Sequence, residues 1–140
     1  MSRIFWDTNL YIYLFEHYGQ FSKMTIALRN RMLERGDQLL TSTLSLGEIL
    51  VKPVETGDRA LADKYETSIR KSSVLLPFDE KAARIYARLR SHHAFRAPDA
   101  IQLACAASAR VDLFITNDAR LQSKHIDGIQ FIAPLDRVPI

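Results

Sequence analysis

Four acidic side chains sit beside short apolar runs, where a catalytic site could collect them. Asp7 opens Asp7-Thr8-Asn9, Glu48 lies about one turn into a helical stretch, Asp99 follows Pro98, and Asp118 closes Thr116-Asn117-Asp118. Each has an ordinary structural use when taken alone. Asp7 and Asp118 are good turn or N-cap residues, because a carboxylate accepts from the free amides that start a helix. Asp99 suits a first helical turn, where the dipole favours negative charge. Glu48 fits this account less well. Leu44 is four residues before it and Val51 three after, so helical spacing puts it on an apolar face, and an unpaired buried charge costs on the order of several kcal/mol. Together the four suggest chemistry. Crowded carboxylates raise one another's pKa values unless a cation sits among them. All-oxygen ligands, with no Cys or His pair among them, suit a hard ion, Mg2+ or Mn2+, rather than zinc. Such an ion can activate water and stabilise a leaving oxygen in phosphodiester hydrolysis.

The elements that must deliver these groups follow from apolar periodicity. Arg3–Trp6, Gln38–Thr41, Val74–Leu76, Leu113–Thr116 and Phe131–Ile132 read as strands. Between them lie helical stretches over Leu10–Tyr18, Ser22–Arg35, a segment capped by Ser42 or Thr43 and stopped by Pro53, Asp58–Lys71, Asp79–His92, and a last helix with Pro98 at its first position running to about Ala109. Ser22 is expected as an N-cap and Gly36 as a C-terminal glycine. Strands that are continuous apolar runs separated by helices predict an α/β fold. Its parallel sheet has about four to five strands, covered by helices on both faces. In such sheets sites gather beyond the carboxyl ends of the strands, which is where Asp7 and Asp118 fall.

The 140 residues are 47% hydrophobic and 25% charged, with no repeat or linker, so residues 1–140 are expected to form one domain. Nineteen Lys and Arg against sixteen Asp and Glu give only +3, a balance that permits a nucleic-acid partner without requiring one. The single cysteine, Cys105, and the single tryptophan, Trp6, read as core residues. Asp7 interrupts the one apolar stretch at the N-terminus, and no window has the apolar length of a membrane span. A soluble cytoplasmic domain, with no membrane partner, is the expectation.

Taken in order, Asp7-Thr8-Asn9, Glu48, Pro98-Asp99-Ala100-Ile101-Gln102-Leu103-Ala104 and Leu113-Phe114-Ile115-Thr116-Asn117-Asp118 resemble the PIN-domain nucleases, and in particular the small bacterial VapC-type toxins. The resemblance spans nearly the whole chain. It implies a single-domain PIN-like fold and a metal-dependent endoribonuclease using Mg2+, with Mn2+ as an alternative ion. It further implies RNA as substrate, a cognate antitoxin as partner, and a homodimer. By resemblance Asp7, Glu48, Asp99 and Asp118 are the metal-binding and catalytic acids, and Asn9 and Thr116 orient carboxylates through hydrogen bonds.

Arg84, Arg88, Arg90 and Arg96 precede Asp99 and form either a solvated helix face or a rim that steers phosphates. Arg96, three residues from Asp99, is the candidate RNA contact. His92-His93 has no Cys beside it to complete a metal site and is favourable near a helix C-terminus in any case. Tyr11, Tyr13 and Tyr18 suit packing or base stacking, and Ile12, Tyr13 and Phe15 on the same helix suit a core, a dimer partner or RNA. Other α/β classes fit less well. A phosphorelay receiver wants an acidic pair before the first strand's aspartate, and a haloacid-dehalogenase-like phosphatase wants a second Asp at position 9, where Asn stands. A catalytically silent PIN-type module that only binds RNA or a partner is the remaining alternative.

Overall fold

The computed structural model describes all 140 residues. Five strands, β1 (Arg3–Trp6), β2 (Gln38–Ser42), β3 (Val74–Leu76), β4 (Val111–Ile115) and β5 (Ile129–Ala133), form one parallel sheet in the order β3-β2-β1-β4-β5. Helices α1 (Thr8–Phe15) and α2 (Gln20–Arg35) join β1 to β2, and α3 (Thr43–Glu55) and α4 (Arg59–Ser72) join β2 to β3. Helices α5 (Glu80–His92) and α6 (Ala97–Ser108) return to β4, and the short α7 (Ala119–Gln122) precedes β5.

Strand order dictates where the helices go. Right-handed crossovers place connections that run one way along a sheet on one face, and those that run back on the other. The steps β1 to β2 to β3 run one way, and β3 to β4 to β5 the other. Two separate cores result. Ile4, Trp6 and Leu39 pack with α1 to α4, while Phe5, Leu40 and Phe114 pack with α5 and α6. Alternation along β1 feeds both layers, and Phe5 stacks on Phe114 with ring centroids 5.0 Å apart. Trp6 and Cys105 are buried as expected, and burial pushes the Cys105 thiol up to about 11.

Several expected boundaries are corrected. The first helix ends at Phe15, not Tyr18. Ser22 lies inside α2 and caps backwards, its hydroxyl accepting from the Tyr18 N–H at 2.8 Å and donating to the Glu16 carbonyl at 3.0 Å. That clasp, with Gly19 at φ 56°, turns the chain between the two helices. Pro53 does not stop α3, which runs to Glu55. In the last turn a proline removes only one ladder bond, and Pro53 is buried there. Pro98 occupies the second position of α6, since the helix starts at Ala97. No helix is long and apolar enough to cross a membrane.

Candidate active site

At the carboxyl edge, β1 lies between β2 and β4, so the chain changes direction along the sheet beside Asp7. Asp7 leaves β1 and caps α1, its Oδ1 accepting the Thr8 N–H at 2.8 Å. Its Oδ2 accepts the Thr116 hydroxyl at 2.7 Å, and the same Thr116 oxygen accepts the Asp118 N–H at 3.0 Å. Thr116 thus ties the ends of β1 and β4 together and orients a carboxylate, as expected. Burial raises the Asp7 pKa most; the Thr116 and Thr8 bonds oppose it, and the charges of Asp99 and Glu48 add to it.

Glu48 reaches the same place from α3. The Thr8 hydroxyl donates to its Oε1 at 2.6 Å. The expected apolar face around Glu48 does not exist: Glu48 is exposed, Leu44 half-buried and Val51 51% exposed. Glu48 stands on the cleft rim, where solvent removes the desolvation problem. Asp99, in the first turn of α6, and Asp118, the N-cap of α7, have side chains 18% and 20% exposed. An open cleft of about 260 Å3 is lined by Asp7, Glu48, Asp99 and Asp118, with Asn9 and Gln102. The four acids expected from the sequence therefore share one cleft.

Asn9 departs from expectation. Its side chain bonds no carboxylate, and its Oδ1 is buried without a partner. It lines the cleft without orienting an acid. Arg96 caps α6 with its backbone, and its Nε lies 3.6 Å from Asp99 Oδ2 while the side chain stays 67% exposed.

Two contributors were not singled out from the sequence. Gln102, 3% exposed, sits on α6 one turn after Asp99. Its Nε2 donates to Ser45 Oγ at 2.7 Å and Thr8 Oγ1 at 3.1 Å, and its Oε1 accepts the Ser42 hydroxyl. Because a carboxylate only accepts, Thr8 must donate to Glu48 and so accepts from Gln102. A buried, uncharged network therefore fixes Glu48 from below. Arg120 binds both oxygens of Asp118 and comes within 3.6 Å of Asp99 Oδ2. The hydrogen bonds from Arg120 hold Asp118 below its usual pKa. An i, i+2 pair at a helix start is a weak sequence signal, and an amide one turn after Asp99 signals nothing until its burial is known.

The aromatic helix resolves into three roles. Tyr11 is core, Phe15 stacks on Tyr65 at 4.9 Å, and Tyr13 stacks on Phe21 at 5.0 Å. Ile12 lines the acidic cleft.

No three His, Cys, Asp or Glu side chains stand close enough together to hold a metal ion in this conformation. Asp99 and Asp118 share the positive charge of Arg120 instead. The donor set nonetheless fits a hard divalent cation. It consists of oxygens, its innermost carboxylate is pushed up chiefly by burial and further by the charges of Asp99 and Glu48, and an orphaned amide oxygen, Asn9 Oδ1, lies at the same cleft.

The class is an α/β domain: a parallel sheet covered on both faces, with its carboxylates gathered at the point where strand order reverses. The PIN-domain family model matches residues 4–126, and the chain belongs to the PIN-domain family. No curated protein matches it in sequence. Among solved structures, the fold is similar to VapBC2 from Rickettsia felis bound to a promoter DNA fragment. That match has 13% identity and a TM-score of 0.71, covering 94% of this chain and 98% of the other. DNA-bound VapBC from Salmonella typhimurium matches at 19% identity and TM-score 0.68, over 96% and 99% of the two chains. VapBC-5 of Mycobacterium tuberculosis, a toxin-antitoxin system, matches at 24% identity and TM-score 0.59, over 94% and 98%.

Proposed function

We propose that the protein is a metal-dependent endoribonuclease of the VapC type, the toxin of a toxin-antitoxin pair. In this reading Asp7, Glu48, Asp99 and Asp118 hold Mg2+ or Mn2+. The observation that carries it is the delivery of four carboxylates from four separate segments of a PIN-family chain to one cleft. A hard divalent ion bound there supplies the charge that lowers the pKa of an attacking water and takes up charge on the leaving oxygen. The chain's own part is positional. Thr116 holds Asp7, Thr8 holds Glu48, and Gln102 holds Thr8. Arg96 and Arg120 flank Asp99 and offer positive charge to a phosphate.

The toxin assignment is supported by the solved relatives, which are toxin-antitoxin complexes. A protein partner also suits the surface. Ile26 and Leu33 on α2 and Val51 and Val54 on α3 are 48 to 68% exposed, apolar area that an antitoxin or a second copy could cover.

RNA cleavage by the purified protein with Mg2+, with Mn2+ and with chelator tests the reading. Cleavage is expected only with the ions, and activity that survives exhaustive chelation contradicts it. Asp99→Ala should lower cleavage by about 100-fold or more, the scale set by losing one electrostatic contributor. Its far-UV circular dichroism should not change, since Asp99 lines a cleft and supports no core contact. An unfolded variant would make Asp99 structural.

A further inference from the structure

We propose that α5, the loop between α7 and β5, and the C-terminal end of α6 form a cationic track for a single RNA strand. The track leads away from Asp99, and the inference rests on the ribonuclease reading above. Lys81, Arg84, Arg88 and His92 recur at helical spacing on α5, all exposed, while Ala82 and Leu89 on the other side are buried. Only a stripe of this spacing keeps charges on one face.

Three clefts follow one another along that stripe, the first two sharing lining residues. The first, about 230 Å3, is lined by Lys81, Arg84, Arg88 and Arg110. A second of about 320 Å3 shares Arg88 and Asp127 with it and adds His92, His93 and His125. The third, about 220 Å3, begins at the neighbouring Ala94 and Lys124 and carries Arg96, Arg120 and Asp99. Asp99 also lines the acidic cleft, so the track ends at the proposed reaction centre.

The charge is concentrated. Seven of the nineteen Lys and Arg line these clefts against two of the sixteen acids, leaving the rest of the chain with twelve basic and fourteen acidic residues. A chain of net charge +3 thus has its whole basic excess on one path. Within the stripe the one ion pair, Arg84 to Glu80 at 3.9 Å, is highly exposed and weak.

The backbone adds two observations. Arg110 is the only non-glycine residue at positive φ, 54°, so a long cation occupies a position glycine would fill without strain. Gly128, at φ 94°, lets its loop close onto α6, where a Cβ would come within 2.6 Å of the Ala107 carbonyl oxygen. The strand is single because the His93 ring, stacked on Phe95 at 4.9 Å, offers a platform to an unpaired base.

Fluorescence anisotropy with a labelled single-stranded RNA of about 15 nucleotides, in chelator and over a range of salt, tests the track. Combined Lys81→Gln, Arg84→Gln and Arg88→Gln should lower the salt slope by about 2, at about 0.7 per lost phosphate contact. Combined Arg59→Gln, Lys64→Gln and Lys71→Gln on α4, equally exposed, should leave it unchanged. An unchanged slope in the α5 variant, an equal fall in the α4 variant, or tighter binding of duplex RNA overturns the track. Cleavage by the wild type with Mg2+ and with Mn2+ is scored separately, absence meaning none with either ion. Its absence overturns the ribonuclease reading alone, whereas intact cleavage with an unchanged α5 slope overturns only the track.

Discussion

Asp7 shows how one carboxylate can cap a helix and still serve a cation. Its two oxygens accept from Thr8, Thr116 and, at 3.4 Å, the Gln102 amide, and a carboxylate has roughly four lone-pair sites, so capacity remains after these bonds. Asp118 is a cap as well, but its remaining capacity is taken by Arg120. Because Asp118 sits below its usual pKa, the pair contributes stability above the unfolded value of about 3.9 and loses it as pH falls through the folded one. Arg120→Gln should therefore lower the chelator melting temperature slightly at pH 7, with the difference closing below about pH 4. It should also enlarge the stabilisation from Mn2+, because Asp99 and Asp118 lose their internal cation. Melts with and without metal at both pH values check this; an unchanged metal shift contradicts it. Gln102→Ala should cost about 1–3 kcal/mol in denaturant unfolding, since Ser42, Ser45 and Thr8 each lose a partner in a buried site. These two residues escaped the sequence reading for opposite reasons. Arg120 looks like any surface cation near a helix start, and Gln102 becomes conspicuous only when its burial is known.

At the level of elements, the strands and the helices flanking them were legible because parallel strands buried on both faces are continuous apolar runs. Arg3–Trp6 and Val74–Leu76 fall where they were expected. What could not be read was local and geometric. Ser22 carries the composition of an N-cap but reaches back into the preceding turn, and Pro53 lies inside α3 two residues before its end, where one missing ladder bond is tolerated. The exposure of Glu48 likewise depends on which side of α3 meets α4, which spacing within α3 alone does not reveal. The four-residue α7 is too short for a periodic signal. Gly128 is the one glycine whose missing Cβ lets another element approach closely. Gly128→Ala should destabilise the protein by more than about 1 kcal/mol, since it imposes both an unfavourable φ and a clash with α6. Chemical denaturation measures this, and a neutral result would mean that the loop before β5 yields freely.

The whole molecule divides its labour by topology. A sheet that grows in both directions from β1 gathers Asp7, Asp99 and Asp118 at one edge, brings Glu48 in from α3, and sends α5 and α6 to the face that carries the basic excess. The acids were legible as a set in the sequence because Asp7 and Asp118 follow strands, Asp99 opens a helix and Glu48 lies about one turn into another. Their convergence is what the account depends on. Asp7 titrates above its usual value in the folded state, so its ionised form costs stability once pH rises past the unfolded value of about 3.9 toward the folded one. Thermal melts at pH 7 of the wild type and Asp7→Asn, each in chelator and in Mg2+ or Mn2+, test the convergence most directly. The account predicts that Asp7→Asn melts at the same temperature as the wild type or higher in chelator, and loses most of the metal-induced rise, because ligand stabilisation follows affinity for the folded state. Equal metal-induced shifts in the two proteins would contradict it and leave Asp7 as a helix cap alone.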